Sequence, residues 1–134
     1  PPVLSSAASD VYKRQDYALT KKWGTAARGA ASGFQMIPDR LFKHQKDLKI
    51  DNTSMVVLLN VLMHWWEADN LPHPGANIIA KRMGVDKRTV ERSLKKLEDD
   101  GIIVRLAREQ DKRGQSVRRI DPSKLVRRLE KYAM

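Results

Sequence analysis

The stretch GANIIAKRMGVDKRTVERSLKKLEDDG, which runs from Gly75 to Gly101, has the pattern of two helices joined by a tight turn. Its first part predicts a short helix from about Ala76 to Met83. Gly84 can adopt the positive φ that ends such a helix without a steric penalty from a Cβ atom. Asp86 then occupies a position where a carboxylate accepts from the free N–H groups of the following turn. The spacing therefore predicts a helix-turn-helix unit.

The second helix of this unit has one apolar side and one cationic side. Val90, Leu94 and Leu97 recur at i, i+4 and i+7, which places them on one buried face. A basic run alone would favour an ordinary solvated face, but the turn glycine, the cap and the strands that follow favour a helix that reads DNA. The cationic side and its flanks comprise Lys87, Arg88, Thr89, Arg92 and Lys95.

After Gly101 the apolar pattern changes to that of short strands. IIVRL, residues 102–106, predicts one strand, and SVRRI, residues 116–120, predicts a second. The polar stretch EQDKRGQ, residues 109–115, predicts the loop between them. Two strands joined by a basic loop behind a recognition helix form a wing. The predicted fold class is therefore mainly α with a small β-wing, a winged helix-turn-helix.

A closing helix is predicted after the wing, because Asp121-Pro122-Ser123 places a capping residue before a proline at the first helical position. The apolar side of this helix would comprise Leu125, Val126, Leu129 and Tyr132.

Two further helices are predicted before the helix-turn-helix unit. Residues 39–48 indicate a short helix with Leu41, Phe42 and Leu48 inward. Residues 55–68, MVVLLNVLMHWWEA, are apolar nearly all round, which is typical of a buried central helix. The segment before them, residues 51–54, is rich in residues that cap helix N-termini. Trp65 and Trp66 are adjacent, so we expect one to seal the core and the other to pack under a loop or a partner chain.

Residues 1–33 differ in composition from the rest of the chain. They are small, polar and rich in glycine, and such a segment cannot bury enough apolar surface to offset its ordering entropy. The opening PPVLSSAASDVYKRQ lacks an initiator Met and resembles translated sequencing adapters. We therefore expect residues 1–33 to be a disordered or non-native leader and residues 34–134 to form the winged helix-turn-helix domain.

The chain is strongly basic, with a formal net charge of +10 and a sequence pI of about 10.1. The excess is uneven, because residues 81–128 contain 16 basic and 8 acidic side chains. That concentration favours a polyanionic partner over a general contribution to solubility.

Several other classes of function lack their sequence signals. Cysteine is absent, which excludes disulfides and thiolate metal sites and fits a reducing cytoplasm. No apolar run is long enough to span a bilayer, and no cationic leader precedes an apolar stretch as in a secretion signal. His44, His64 and His73 lie in different elements without metal-ligand spacing, so His64 is interpreted as a core or rim histidine. Phosphate-loop and nucleophile-elbow motifs are missing, so we expect no enzyme, metal or cofactor.

From Phe34 onward, about three quarters of the chain resembles the bacterial winged helix-turn-helix family, which includes regulators and plasmid or phage replication-initiation modules. The resemblance rests on FQMIPDRLF, VLLNVLMHWWEADNLPHPG and IAKRMGVDKRTVERSLKKLEDDGIIVR. In this family a Ser commonly follows the proline before the first motif helix, whereas Gly75 stands here. The family spacing of small, turn and apolar residues falls on Ala80, Gly84, Thr89, Val90, Arg92, Leu97 and Gly101-Ile102.

These features predict a cytoplasmic, nucleoid-associated regulator that binds double-stranded DNA. We expect Arg88 and Arg92 to contact base edges in the major groove, with Thr89 touching a thymine methyl or a phosphate. A flexible wing tip around Lys112 and Arg113 would follow phosphates without reading sequence. The expected contacts to the DNA backbone are Lys87, Lys95, Arg108, Lys112, Arg113, Arg118 and Arg119.

Two alternative functions and the assembly state stay open at this point. The chain could be the DNA-binding part of a plasmid or phage replication initiator, or a winged protein–protein module whose basic face meets an acidic partner. It could also work as a homodimer, as many helix-turn-helix proteins do. A dimer seam would use one of Trp65 and Trp66 together with the Leu125, Leu129 and Tyr132 stripe, unless the closing helix packs on its own domain.

Overall fold

The structure is a computed structural model that describes residues 21–27 and 33–132. The chain divides into two compact units, residues 1–36 and residues 37–134. In the first unit, residues 21–23 are helical and a 3₁₀ turn spans Gly24–Ala27. Most of the predicted leader lies outside the described residues, so the leader and the domain boundary stay predictions.

The second unit contains five helices and four two-residue strands among its described residues. In chain order these are α1 Asp39–Lys43, α2 Asn52–Leu62, α3 Ala76–Met83, α4 Lys87–Asp99, β1 Val104–Arg105, β2 Glu109–Gln110, β3 Ser116–Val117, β4 Ile120–Asp121 and α5 Ser123–Glu130. This is a winged-helix fold with a small antiparallel hairpin, and the predicted fold class is confirmed.

The core forms where α2 packs against α3 and α4. Five residues predicted to be buried at helical spacing are at most 8% exposed: Leu58, Leu62, Val90, Leu94 and Leu97. Ile102 and Ile103 are fully buried as well, because the chain enters the core directly after α4. α4, which the sequence predicts to be a recognition helix, is therefore fixed on one side by apolar packing.

Two predicted helices are shorter in the structure. α1 ends at Lys43 rather than Leu48, because the backbone leaves the helical region at His44, whose φ is −112°. Leu41 and Leu48 are buried as predicted, but the prediction for Phe42 was wrong, since its side chain is 51% exposed.

α2 ends at Leu62 rather than Ala68 because its last turn tightens. The N–H of His64 bonds to Val61 and the N–H of Trp65 bonds to Leu62, both three residues back. Trp65 packs partly against the core, as expected for one of the two tryptophans. Trp66 is 73% exposed, so it packs under no loop of its own domain.

The wing is an antiparallel hairpin with an interruption. β1 pairs with β4 and β2 pairs with β3. Between these pairs, residues 106–108 on one side face only residues 118–119 on the other, and this extra residue locally disrupts the ladder as a bulge does. The predicted single strand SVRRI is therefore split into β3 and β4, and Glu109 and Gln110 belong to β2 rather than to a loop.

The closing helix packs on its own domain. Leu125 is 3% and Leu129 7% exposed, and the ring of Tyr132 stacks on His44 with ring centres 3.8 Å apart. Of the two alternatives left open for this helix, the structure therefore has packing on its own domain rather than a dimer seam through Leu125 and Leu129. Val126 was also predicted to be inward but is 40% exposed. Within residues 21–27 and 33–132, none of the helices combines the length and apolar character needed to cross a bilayer.

Candidate nucleic-acid interface

The turn between α3 and α4 has the geometry that its sequence predicts. Gly84 has a φ of 69°, in the left-handed region. Oδ1 of Asp86 accepts hydrogen bonds from the backbone N–H and the hydroxyl of Thr89, each at 2.8 Å. The backbone hydrogen bond is the main reason why the pKa of Asp86 lies below its ordinary value. At the start of α3, Gly75 provides no side-chain cap, as expected for a residue without a side chain.

The outer face of α4 presents cations to solvent. Lys87, Arg88, Arg92 and Lys95 are exposed, and Thr89 is half-buried beside the Asp86 cap. Lys95 lies 3.4 Å from Asp99 one turn along the helix. Within residues 33–132, the guanidinium groups of Arg88 and Arg92 have no hydrogen-bond or ion-pair partner. Two arginines with fixed backbone positions and free donors can bond an external acceptor.

A cleft between the start of α2 and the flank of α4 adds residues that the sequence did not single out. Nζ of Lys96 lies 2.6 Å from Oδ2 of Asp51, although 45 residues separate them in the chain. Asp51 also caps α2, since its Oδ1 accepts from the N–H of Ser54 at 2.7 Å. The cleft encloses about 290 Å³ and is lined by Asp51, Asn52, Thr53, Ser54, Thr89, Arg92, Ser93 and Lys96. Of these residues, the sequence singled out only Thr89 and Arg92 as DNA contacts and residues 51–54 as helix-capping types.

The wing tip is an organised turn. Oδ1 of Asp111 accepts from the N–H of Arg113 at 2.8 Å and from the N–H of Gln115 at 2.9 Å. Gly114 completes the turn with a φ of 77°. The side chains of Lys112 and Arg113 project from it and are exposed. These bonds to Asp111 organise the backbone of the turn, and the flexibility of the tip stays a prediction.

Arg105 links the base of the wing to the recognition helix, and sequence reasoning missed it. The guanidinium of Arg105 contacts Glu91 at 3.3 Å and Glu98 at 3.2 Å. The backbone N–H of Arg105 also donates to Glu98 at 3.1 Å. The Arg105 side chain is only 13% exposed. Burial acts to raise the pKa of Glu98, but the bonds from Arg105 outweigh it and the net shift is downward. An arginine in a strand next to a charged loop gives no local sign of such a contact.

The remaining wing arginines differ in how strongly they are bound within the protein: Arg108 weakly, Arg118 and Arg119 through shorter hydrogen bonds. Arg108 is exposed, and its guanidinium makes a long 3.5 Å hydrogen bond to the hydroxyl of Ser116. Arg118 donates to the carbonyl of Leu106 at 2.8 Å. Arg119 pairs with Glu109 at 2.8 Å and donates to the carbonyl of Leu71 at 2.6 Å. The guanidinium of Arg119 therefore connects the wing to the segment before α3, which leaves few donors for a phosphate.

The histidines do not gather into a metal site. Nε2 of His64 lies 3.1 Å from a guanidinium nitrogen of Arg82, which fits the interpretation of a satisfied rim histidine. Burial lowers the pKa of His64, and the charge of Arg82 lowers it further. Among the described residues, no three His, Asp or Glu side chains are grouped as metal ligands.

Part of the chain is similar to a known protein family. No curated protein matches the chain. The comparisons give no support to the replication-initiation alternative. Over residues 66–114, which include α3, α4, β1, β2 and the wing tip, the chain matches the sequence model of the MarR family, a winged-helix family, and this match supports a winged-helix DNA-binding regulator.

Proposed function

We propose that this protein binds double-stranded DNA with sequence specificity and regulates transcription. The observation that carries the proposal is the pair of exposed, unpartnered guanidinium groups on α4, a helix capped by Asp86 and packed on the core through Val90, Leu94 and Leu97. Base readout requires donors whose positions are fixed relative to the duplex, and this packing fixes the α4 backbone. The similarity to the MarR family over α3 and α4 supports the same function.

In this proposal α4 enters the major groove. Arg88 and Arg92 bond base edges, and each is able to contact guanine O6 and N7 together, which is worth about 1–3 kcal/mol of discrimination against a wrong base. Thr89 lies beside them and contacts a thymine methyl or a phosphate. Its hydroxyl is already bonded to Asp86, which favours contact through the methyl group.

Backbone contacts come from exposed cations on both sides of this helix. Neutralising phosphates releases counterions, which supplies affinity without sequence preference. The contacts within the wing favour a structural role for Arg119 over the phosphate contact expected from sequence, and they leave Arg118 with part of its guanidinium free. The proposed backbone contacts are Lys87, Lys95, Arg108, Lys112, Arg113 and Arg118.

We also propose a homodimer on nucleoid DNA in the cytoplasm. MarR proteins typically act as dimers, and a two-fold pair reads two half-sites one helical turn apart. Since Leu125 and Leu129 are buried, the exposed Trp66 is the remaining candidate for the seam that sequence reasoning identified. Light scattering at tens of micromolar without DNA tests this part. A monomeric wild-type protein would contradict the dimer, and a dimer whose mass is unchanged by Trp66→Ser would contradict the seam at Trp66.

Selection of bound duplexes from random DNA tests the main proposal. We expect enrichment of a sequence that then competes in a gel-shift assay far better than its scrambled version. If the protein bound no duplex at low salt, DNA binding would be withdrawn. The basic face would then be assigned to an acidic protein partner.

A further inference from the structure

We propose that Arg119 is a positioning residue for DNA binding, which sets where the wing tip lies relative to α4 and does not itself contact a phosphate. The inference rests on the proposed function and concerns the outer hairpin of the wing, which comprises β2, β3 and the tip between them. The sequence predicts Arg119 as one more contact to the DNA backbone. The match to the MarR family ends at residue 114 and does not include Arg119.

The outer hairpin is joined to the rest of the protein through a break in the strand pairing. The pairing of β1 with β4 ends at Ile120, and that of β2 with β3 begins at Glu109. Between these pairs, the N–H of Leu106 bonds to the carbonyl of Arg119 at 2.9 Å. An extra residue on one strand bends that strand and increases its twist. The direction of the outer hairpin therefore depends on the contacts that cross the break.

The side chain of Arg119 crosses this break. Its Nε donates to Oε1 of Glu109 in β2 at 2.8 Å. Its Nη1 donates to the carbonyl of Leu71 at 2.6 Å and lies 3.4 Å from Oδ1 of Asn70, both in the segment before α3. A guanidinium is a planar fork whose donors point in fixed directions. These bonds therefore fix β2 relative to the segment that leads into the helix-turn-helix unit.

The part of the wing that Arg119 holds also carries the cations of the tip. β2 leads directly into the turn that Asp111 organises, and Lys112 and Arg113 project from this turn. A rotation of the outer hairpin about the break would move both cations together. In the proposed function these cations contact phosphates, so their distance from α4 must match the spacing between the groove and the backbone of the duplex. Arg119 sets this distance.

Glu109→Ala separates positioning from charge, because the two accounts predict opposite signs. The substitution removes a carboxylate from the wing, so on charge alone the binding of DNA would become stronger. If Arg119 positions the wing, loss of its partner should weaken binding at least about fivefold on both selected and scrambled duplex, since the tip contacts are lost. Gln110→Ala is the matched control, because it shortens the neighbouring exposed side chain of β2 without removing a charge. We expect it to change affinity by less than about threefold.

Two substitutions of Arg119 itself give a second readout. Arg119→Lys keeps the charge, but one nitrogen must then replace the two that hold Glu109 and Leu71. We therefore expect Arg119→Lys to weaken binding about as much as Arg119→Gln. Neither change should add to the loss caused by Lys112→Ala/Arg113→Ala, because residues that act through one contact are not additive. If Arg119 bonded a phosphate directly, Arg119→Gln in that background would make the slope of log K against log salt less steep by a further 0.9 or so.

Denaturation curves check that each variant is folded at the temperature of the binding assay. The inference is overturned if Glu109→Ala binds as tightly as the wild type or more tightly. It is also overturned if Arg119→Lys keeps wild-type affinity, or if the loss from Arg119→Gln adds in full to that of the wing-tip variant. Absence of duplex binding by the wild-type protein would instead contradict the proposed function itself, so the two failures are distinguishable.

Discussion

The recognition helix and the wing are held in place by different physical means. α4 is fixed by apolar side chains that are at most 4% exposed, namely Val90, Leu94 and Leu97. The wing contributes Ile120 of β4 to the buried core and is otherwise fixed by polar contacts, of which those of Arg105 to Glu91 and Glu98 and of Arg119 to Leu71 are the main ones. Apolar packing does not titrate and is not screened by salt, whereas ion pairs respond to pH and to charge screening. The two regions should therefore respond differently to the same perturbation.

The largest expected effect on stability comes from a change to the apolar packing of α4. Leu94→Ala should lower the free energy of unfolding by roughly 2–5 kcal/mol, because the substitution removes buried methyl groups and leaves a cavity. Chemical denaturation measures the change. Lys95→Ala is the matched control, since it alters the next residue on the exposed face and should cost far less. A midpoint unchanged by Leu94→Ala would show that the assignment of the α4 faces is wrong.

The next effect concerns the polar attachment of the wing. Arg105→Met should cost about 1–3 kcal/mol, because it keeps the length of the side chain but removes the guanidinium bonds to Glu91 and Glu98, which leaves Glu98 with only the bond from the backbone N–H of residue 105. Arg108→Met, at an exposed position of the same wing, should leave stability nearly unchanged. Denaturation curves of both variants give the comparison. Equal stabilities would mean that Arg105 does not hold the wing to α4.

A smaller loss of stability should appear at acid pH, where the aspartates that cap the helices are protonated. The folded-state pKa of Asp86 is lowered, so its cap stabilises the protein above the ordinary value of 3.8 and this contribution is lost as pH falls through the folded pKa. The lowered pKa values of Asp51 and Asp121 act in the same direction. Stability should therefore decrease below about pH 4. Asp86→Asn should show a weaker decrease, since an asparagine caps the helix without titrating. An identical pH profile for both proteins would contradict this role of Asp86.

The same contrast explains which parts of the fold could be predicted from the sequence. The helix-turn-helix unit depends on neighbours within a few residues, such as Gly84, Asp86 and the Val90, Leu94, Leu97 stripe, so its pattern is visible in the chain. The wing depends on contacts between distant residues. Arg119 of the wing meets Leu71 across 48 residues, and outside the wing Lys96 of α4 meets Asp51 across 45. Neither pairing has a local signature.

The errors in helix length have a related cause. Residues 63–66 are apolar or aromatic and continue the pattern of α2, but hydrogen bonds to Val61 and Leu62 close the helix there. Phe42 and Val126 were expected to face inward because of their residue type, yet both are exposed. Apolar character alone does not say on which side of an element a neighbour packs, and the candidate site depends on the same tertiary information.

The central claim is that α4 reads sequence while the wing tip contacts only the DNA backbone, and a salt series on two variants tests it most directly. Arg92→Ala should lose about 1–3 kcal/mol of binding free energy on the selected duplex and much less on a scrambled one. The double variant Lys112→Ala/Arg113→Ala should weaken both duplexes equally and make the slope of log K against log salt less steep by roughly one to two units. Lys124→Ala, on the exposed side of α5, serves as the control. Equal losses on both duplexes for Arg92→Ala would contradict the claim and make α4 another backbone contact.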